Sequence, residues 1–281
     1  MRLNAGISTV LAVALCVGLT STAKALESKK NEIHKLSGLE MLTAKDTPLK
    51  KGDKIAFFGD SVTMQGGYIK TIAAALQEGQ YTKALDVKLL QHGLDGGRVP
   101  TVLEGKGPWG DLGGTMESLI EKEKPDVVVI YLGINDVWHG EKGTTKPDFE
   151  AGLKAMIALC RKAGATVMLC TPSVIGEEMT DANRLTKTLG EYSEIIRKLA
   201  KEEKTGLCDI HTAFVEELKK VNFENKHAGN LTYDGVHMND KGNALLADVI
   251  SNAMVETLKT RQKNGTSPAE KLGESEKSGT N

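Results

Sequence analysis

The segment Asp126-Val127-Val128-Val129-Ile130-Tyr131-Leu132-Gly133-Ile134-Asn135-Asp136 decides how this sequence folds. Six apolar residues, Val127 to Leu132, run without interruption, and a glycine followed by short polar side chains then stops the run. A strand with one wet face would alternate; a continuous apolar run implies cover on both faces, as in a parallel sheet between helices. Working outward, runs of the same kind recur at Lys54 to Phe58, Asp86 to Leu90, Thr166 to Cys170 and Gly206 to Ile210. Between and after them, apolar residues repeat at helical spacing: Phe149, Leu153, Met156, Ile157 and Cys160; Leu185, Leu189, Tyr192, Ile196 and Leu199; Leu245, Leu246, Val249, Ile250 and Met254. Strand alternating with helix five times predicts an α/β sandwich around a central, mainly parallel five-stranded sheet. In such sheets ligands bind beyond the carboxyl ends of the strands, so the loops that follow the strands are where chemistry is expected.

The 281 residues suit one sizeable α/β domain, over 51–260. With 40% hydrophobic and 26% charged residues, the composition excludes a disordered, collagen-like or multi-span membrane chain. The formal net charge of -1 and the lack of a basic run interleaved with aromatics exclude a nucleic-acid partner, and no stable membrane association is expected. Arg2, the apolar stretch Ile7 to Thr20 and Ala23-Lys24-Ala25 read as a signal peptide over 1–25, cleaved near Ala25, which predicts export to the periplasm or medium. The apolar stretch is shorter than the ~20 residues of a membrane span. Residues 26–50 read as a Lys-rich surface arm and 261–281 as a disordered tail. Past the signal, Cys160, Cys170 and Cys208 are odd in number and sit in apolar runs, which reads as buried thiols rather than a disulfide framework. No metal-ligand spacing occurs, and no cofactor is expected.

Three strand-end loops carry polar groups: Gly59-Asp60-Ser61, Gly93-Leu94-Asp95-Gly96-Gly97 and Gly133-Ile134-Asn135-Asp136. Asp234-Gly235-Val236-His237 precedes the last helix. An Asp and a His three apart on one turn set a carboxylate against one imidazole nitrogen and leave the other as a base; a Ser on another strand end completes a nucleophile, base and orienter. The Ser61 N–H, the Gly93 N–H and the Asn135 amide are the expected oxyanion donors. The plainer readings are Ser61 as a helix cap, Gly93 as a turn glycine and Asp136 as a local structural acceptor.

In order and placement these four blocks resemble those of the SGNH, or GDSL-type, hydrolases, over about Lys51 to Lys259. The resemblance implies a flavodoxin-like three-layer sandwich and hydrolysis of a carboxylic ester through an acyl-serine without a cofactor. It makes Ser61 the nucleophile, His237 the base and then acid, Asp234 the orienter of His237, and Ser61, Gly93 and Asn135 the oxyanion hole. The sequence departs from the family at Val62, which replaces the Leu of the family name, and at Gln91, where many members carry Asn.

Trp109, Trp138 and His139 follow the second and third blocks and are the expected substrate-binding walls, with His92 a further wall residue. Aromatic walls suit a sugar ring, whose C–H faces stack on them. Only 4% of the residues are aromatic and the loops are rich in Gly and charge, which points to a small-molecule or saccharide ester bearing a short acyl group, such as acetyl. A lysophospholipase or thioesterase, a saccharide-binding module with a vestigial site, and acyl transfer to a sugar hydroxyl are the other readings of the same residues.

Overall fold

A computed structural model describes residues 37–180 and 183–263. The signal peptide, the first part of the arm and nearly all of the tail lie outside these residues. Seven strands occur among the described residues: β1 (Lys54–Gly59), β2 (Lys88–Gly93), β3 (Lys106–Gly107), β4 (Gly110–Asp111), β5 (Val127–Tyr131), β6 (Thr166–Cys170) and β7 (Gly206–Cys208). Five of them form one parallel sheet in the order β2-β1-β5-β6-β7, and β3 and β4 form a small antiparallel ribbon. The helices are α1 (Gly38–Thr43), α2 (Ser61–Gln65), α3 (Gly67–Glu78), α4 (Val99–Glu104), α5 (Met116–Glu123), α6 (Ile134–Trp138), α7 (Lys146–Lys162), α8 (Arg184–Glu202), α9 (Ile210–Val221) and α10 (Asp240–Lys263).

β5 is buried at all five positions and divides its side chains between two cores. Val128 and Ile130 pack with Val99, Met116, Phe149, Leu153 and Ile196 from α4, α5, α7 and α8. Val127, Val129 and Tyr131 pack with Tyr68, Ile72, Phe214, Leu246 and Ile250 from α3, α9 and α10. That is the flavodoxin-like three-layer sandwich, and the unbroken apolar run of β5 is its direct cause. β1 is the point where the strand order reverses, with β2 on one side and β5 on the other. A crevice at the carboxyl ends is required there by the topology alone.

Two expectations shift. The second strand begins at Lys88 rather than Asp86, because Asp86 adopts φ 53°, a turn conformation that cannot join a ladder. Its pairing starts where the Lys88 N–H donates to Asp53 O. Within the segment read as a surface arm, residues 37–50 belong to the core: Leu42 is fully buried and Leu49 nearly so. Ser37 and Glu40 form a capping box that starts α1, and the Leu39 N–H donates to Asp248 Oδ1 on α10. Because Leu42 fills a closed site between elements some two hundred residues apart in the chain, L42A should lower the unfolding free energy by about 2–5 kcal/mol, read from urea denaturation.

Candidate active site

Ser61 is the first residue of α2, directly beyond β1. Asp60 caps this helix, its Oδ1 accepting the Val62 N–H at 2.9 Å. The first turn of a helix leaves its N–H groups without intrahelical acceptors, so the Ser61 N–H faces outward beside its own Oγ. From the other end of the domain, the loop before α10 folds back on itself: the Tyr233 N–H donates to His237 O, the Asn239 N–H to Leu231 O, and Thr232 bridges to Met238. Within that loop Asp234 Oδ1 accepts the N–H groups of Val236 and His237, at 3.0 and 2.8 Å, while its Oδ2 lies 2.7 Å from His237 Nδ1. His237 Nε2 lies 2.9 Å from Ser61 Oγ. Burial pushes the Asp234 carboxyl up, but the bonds from His237 and the two backbone amides outweigh it and hold the group below the usual range. Asp234 is therefore a carboxylate at neutral pH, which puts the imidazole proton on Nδ1 and leaves Nε2 to accept from the Ser61 hydroxyl.

Around Ser61 opens a cleft of about 220 Å³, lined by Asp95, Gly96, Trp109, Ile134, Asn135, Trp138, His139 and Val236 together with Ser61, Asp234 and His237. The residues expected as walls, Trp109, Trp138 and His139, all reach it. Trp109 and Trp138 keep 64% and 46% of their surface exposed, which in a globular chain marks a face kept open for something else. Asn135 Nδ2 donates to Gly97 O at 3.2 Å; that bond uses one amide hydrogen and orients the other.

Gly93 does not line the cleft. It ends β2 beneath α2, where a Cβ would meet Met64 N at 2.0 Å, so its glycine is needed for the close passage of two backbones. The glycine of this loop that lines the cleft is Gly96, at φ 65°, with the Trp109 ring resting where a side chain would be. Its N–H donates to no protein acceptor among the described residues. His92 is not a wall either: on β2 its ring stacks on Phe58 with centroids 4.7 Å apart, and Nε2 lies 2.7 Å from Glu123 Oε2. Asp136 is a structural acceptor across two loops rather than within its own turn, taking the Val99 N–H at 3.1 Å; burial pushes its carboxyl up to about 6. Cys160, Cys170 and Cys208 are free thiols in the core. Among the described residues no group of three or more His, Cys, Asp or Glu is arranged for a metal.

A family model described as the GDSL-like lipase/acylhydrolase family matches residues 57–245, which span every residue of this site. The chain belongs to that family. It is a carboxylic ester hydrolase. An acetylxylan esterase of Geobacillus stearothermophilus is 27% identical over 218 residues, covering 70% of this chain and 91% of that protein. An isoamyl acetate-hydrolyzing esterase of Saccharomyces cerevisiae is 23% identical over 216 residues, covering 70% and 83%. Among solved structures, the acetyl xylan esterase AlAXEase is similar at 36% identity with a TM-score of 0.63, covering 71% of this chain and 98% of that one.

Sequence reasoning missed three supports of this acylhydrolase site. Gln91 Nε2 donates to Thr63 O and Met64 O, at 2.9 and 2.7 Å, so Gln91 ties β2 to the last turn of the helix that begins at Ser61. Tyr233 stacks on His237 at 5.7 Å and 15°, and its hydroxyl accepts from Gln65 Nε2 at 3.0 Å. Glu177, treated below, sits behind the Asp234–His237 loop. Adjacency to Asp234 was the available signal for Tyr233; for Glu177 there was none.

Asp60 carries a pH consequence. Burial, opposed by the Val62 N–H and by His237, pushes its carboxyl up from 3.8 to about 7. An acid whose folded value is raised stabilises the fold at low pH, and that stability drains as pH rises from about 4 through 7. D60N keeps the capping oxygen and removes the titration. Urea unfolding between pH 5 and 8 should therefore show the wild-type chain losing about 3 kcal/mol more than D60N does.

Proposed function

We propose that this chain removes acetyl groups from a saccharide by two displacements through an acetyl-Ser61 ester. The observation that carries the reading is the unbroken Asp234–His237–Ser61 hydrogen-bond chain at the mouth of a small cleft walled by two exposed tryptophans. Ser61 Oγ attacks the acetyl carbonyl as His237 Nε2 takes its proton, and the carbonyl oxygen becomes an oxyanion. Three donors converge on that oxyanion: the Ser61 N–H, the free Asn135 amide hydrogen and, in place of Gly93, the Gly96 N–H. His237 then protonates the sugar oxygen, which leaves as the alcohol. Water adds to the acetyl-serine by the same steps, the proton passing to His237 and back to Ser61 Oγ, and acetate departs.

Cleft size supports a short acyl group, since about 220 Å³ lies below the ~300–1,000 Å³ of pockets that enclose drug-sized ligands. Trp109 and Trp138 support a sugar as the alcohol, and the acetylxylan esterases among the relatives support acetylated xylan-type chains. A further cavity that shares Trp138 with the cleft, about 400 Å³ and lined also by Thr180, Asn183, Arg184 and His227, gives an elongated substrate room to continue. A larger cavity, about 510 Å³, opens near Thr166 and Gly206 at the amino ends of the strands and contains no nucleophile–base pair. No helix among the described residues is long and apolar enough to cross a membrane. Residues 1–25 act as a cleaved signal in this reading, taking the enzyme to where the polysaccharide is.

Purified enzyme should hydrolyse p-nitrophenyl acetate faster than the octanoate and release acetate from acetylated xylo-oligosaccharides. S61A and H237A should each lower kcat by about 10³-fold or more, and N135A by about 10²- to 10³-fold. Full turnover by S61A would overturn the assignment, and a preference for octanoate would move it to a lipase or thioesterase.

A further inference from the structure

Glu177, in the loop that follows β6, is fully buried, yet no cation bonds it among the described residues. Its carboxylate instead collects five donors from one short segment. Oε2 accepts the Asn230 N–H at 2.9 Å and Asn230 Nδ2 at 2.8 Å. Oε1 accepts the Leu231 N–H at 2.8 Å, the Thr232 N–H at 2.6 Å and the Thr232 hydroxyl at 2.7 Å. Three consecutive backbone amides turned onto one carboxylate make an anion-binding nest, and the occupant is supplied by the protein itself. Burial pushes this carboxyl up, but the donors from Thr232, Asn230 and Leu231 outweigh it and hold the group below the usual range. The charge is thus retained by hydrogen bonds, without a paired cation among the described residues.

The nest is joined to the reactive groups. The Thr232 hydroxyl, which donates to Glu177 Oε1, accepts the Gly235 N–H at 3.1 Å, and Gly235 follows Asp234 directly. Backbone bonds reinforce the link on both sides: the Gly176 N–H donates to Gly235 O at 2.7 Å and the Glu177 N–H to His227 O at 2.8 Å. Asn222, which caps the end of α9, donates from Nδ2 to Glu177 O at 2.8 Å. The loop that bears Asp234 and His237 has no strand or long helix of its own until α10 begins, so its position against β6 is set here.

We propose that Glu177 is a positioning residue for the Asp234–His237 pair, acting through Thr232 to hold His237 Nε2 within reach of Ser61 Oγ. The inference rests on the assignment of that triad. Replacing Glu177 by Gln turns one oxygen into a donor, and whichever way the amide faces, at least two of the five donors lose their acceptor. Replacing Thr232 by Val removes only the hydroxyl that joins the nest to Gly235.

Steady-state hydrolysis of p-nitrophenyl acetate and urea unfolding, measured on the full chain, test this for T232V and E177Q in the wild-type and H237A backgrounds. T232V should lower kcat by about 10- to 10²-fold with KM within about threefold, and E177Q by at least as much, since sub-ångström placement governs such steps. In the H237A background neither should reduce the residual rate further, whereas their effects on the urea midpoint should be the same in both backgrounds. If H237A is inactive and both variants keep wild-type kcat, the positioning role fails while the triad stands. Equal fractional losses with and without His237 also overturn it, by reducing Glu177 to a fold-stabilising residue. Full turnover by H237A overturns the triad itself and this inference with it. Should E177Q not fold, T232V decides alone.

Discussion

The 2.9 Å contact between Ser61 Oγ and His237 Nε2 joins residues 176 positions apart, and much of the architecture serves to keep that gap closed. Neither partner sits on an element long enough to be rigid alone. α2 has five residues, and the loop carrying Asp234 and His237 contains no helix or strand beyond one isolated bridge. On the serine side, rigidity comes from Asp60 at the start of α2, from Gln91 at its end, and from a glycine at position 93 that lets the helix lie against β2. On the histidine side it comes from the nest around Glu177 and from Tyr233, whose hydroxyl reaches back to Gln65 on α2. The two sides are tied to different strands, β1 with β2 and β6 respectively, so the sheet itself sets the distance between Ser61 and His237.

Three buried acids near the site show how the same apolar interior produces opposite protonation. Asp60 and Asp136 each accept a backbone N–H, from Val62 and Val99, and burial prevails, raising the first to about 7 and the second to about 6. Glu177 receives five donors, and the balance reverses. Donors aimed at the carboxylate and the extent of its desolvation act together, and at Glu177 the five donors meet a smaller desolvation cost than at Asp60 or Asp136. Asp234 reaches a lowered value with partial exposure and the imidazole as partner, the state an orienter of a neutral His requires.

Much of this was legible in the residues because the chemistry sits at strand ends. An apolar run that stops at Gly-Asp-Ser or at Gly-Ile-Asn-Asp announces both a buried strand and a polar loop, and the sheet order brings those two loops together. In the second loop Gly93, Gly96 and Gly97 lie within five residues, and spacing alone does not say which of them lines the cleft. Only the chain's path separates the glycine beneath α2 from the one facing the cleft. Glu177 stands beside Glu178 in a polar stretch, and nothing local distinguishes the fully buried carboxylate from its half-exposed neighbour. Burial there depends on amides more than fifty residues later. The first helix was missed for the same reason, since Leu42 becomes core only when α10 arrives.

The oxyanion side follows the same logic as the acid–base side. The loop after β2 and the loop after β5 are stitched to each other twice: Asn135 Nδ2 donates to Gly97 O, and Asp136 Oδ1 accepts the Val99 N–H. Neighbouring residues on one loop thus grip near-neighbouring residues on the other, so the proposed Gly96 and Asn135 donors cannot drift apart independently. Trp109 rests on Gly96 at the point where a side chain would begin. The proposed stacking of a substrate ring on Trp109 therefore bears on the same loop as the proposed Gly96 donor. Dipoles fixed before the substrate arrives need no reorganisation as charge develops, which is where preorganised donors are most effective. In this fold that fixing is achieved by loop-to-loop hydrogen bonds laid across the crevice between β2, β1 and β5, and the aromatic wall is built on top of them.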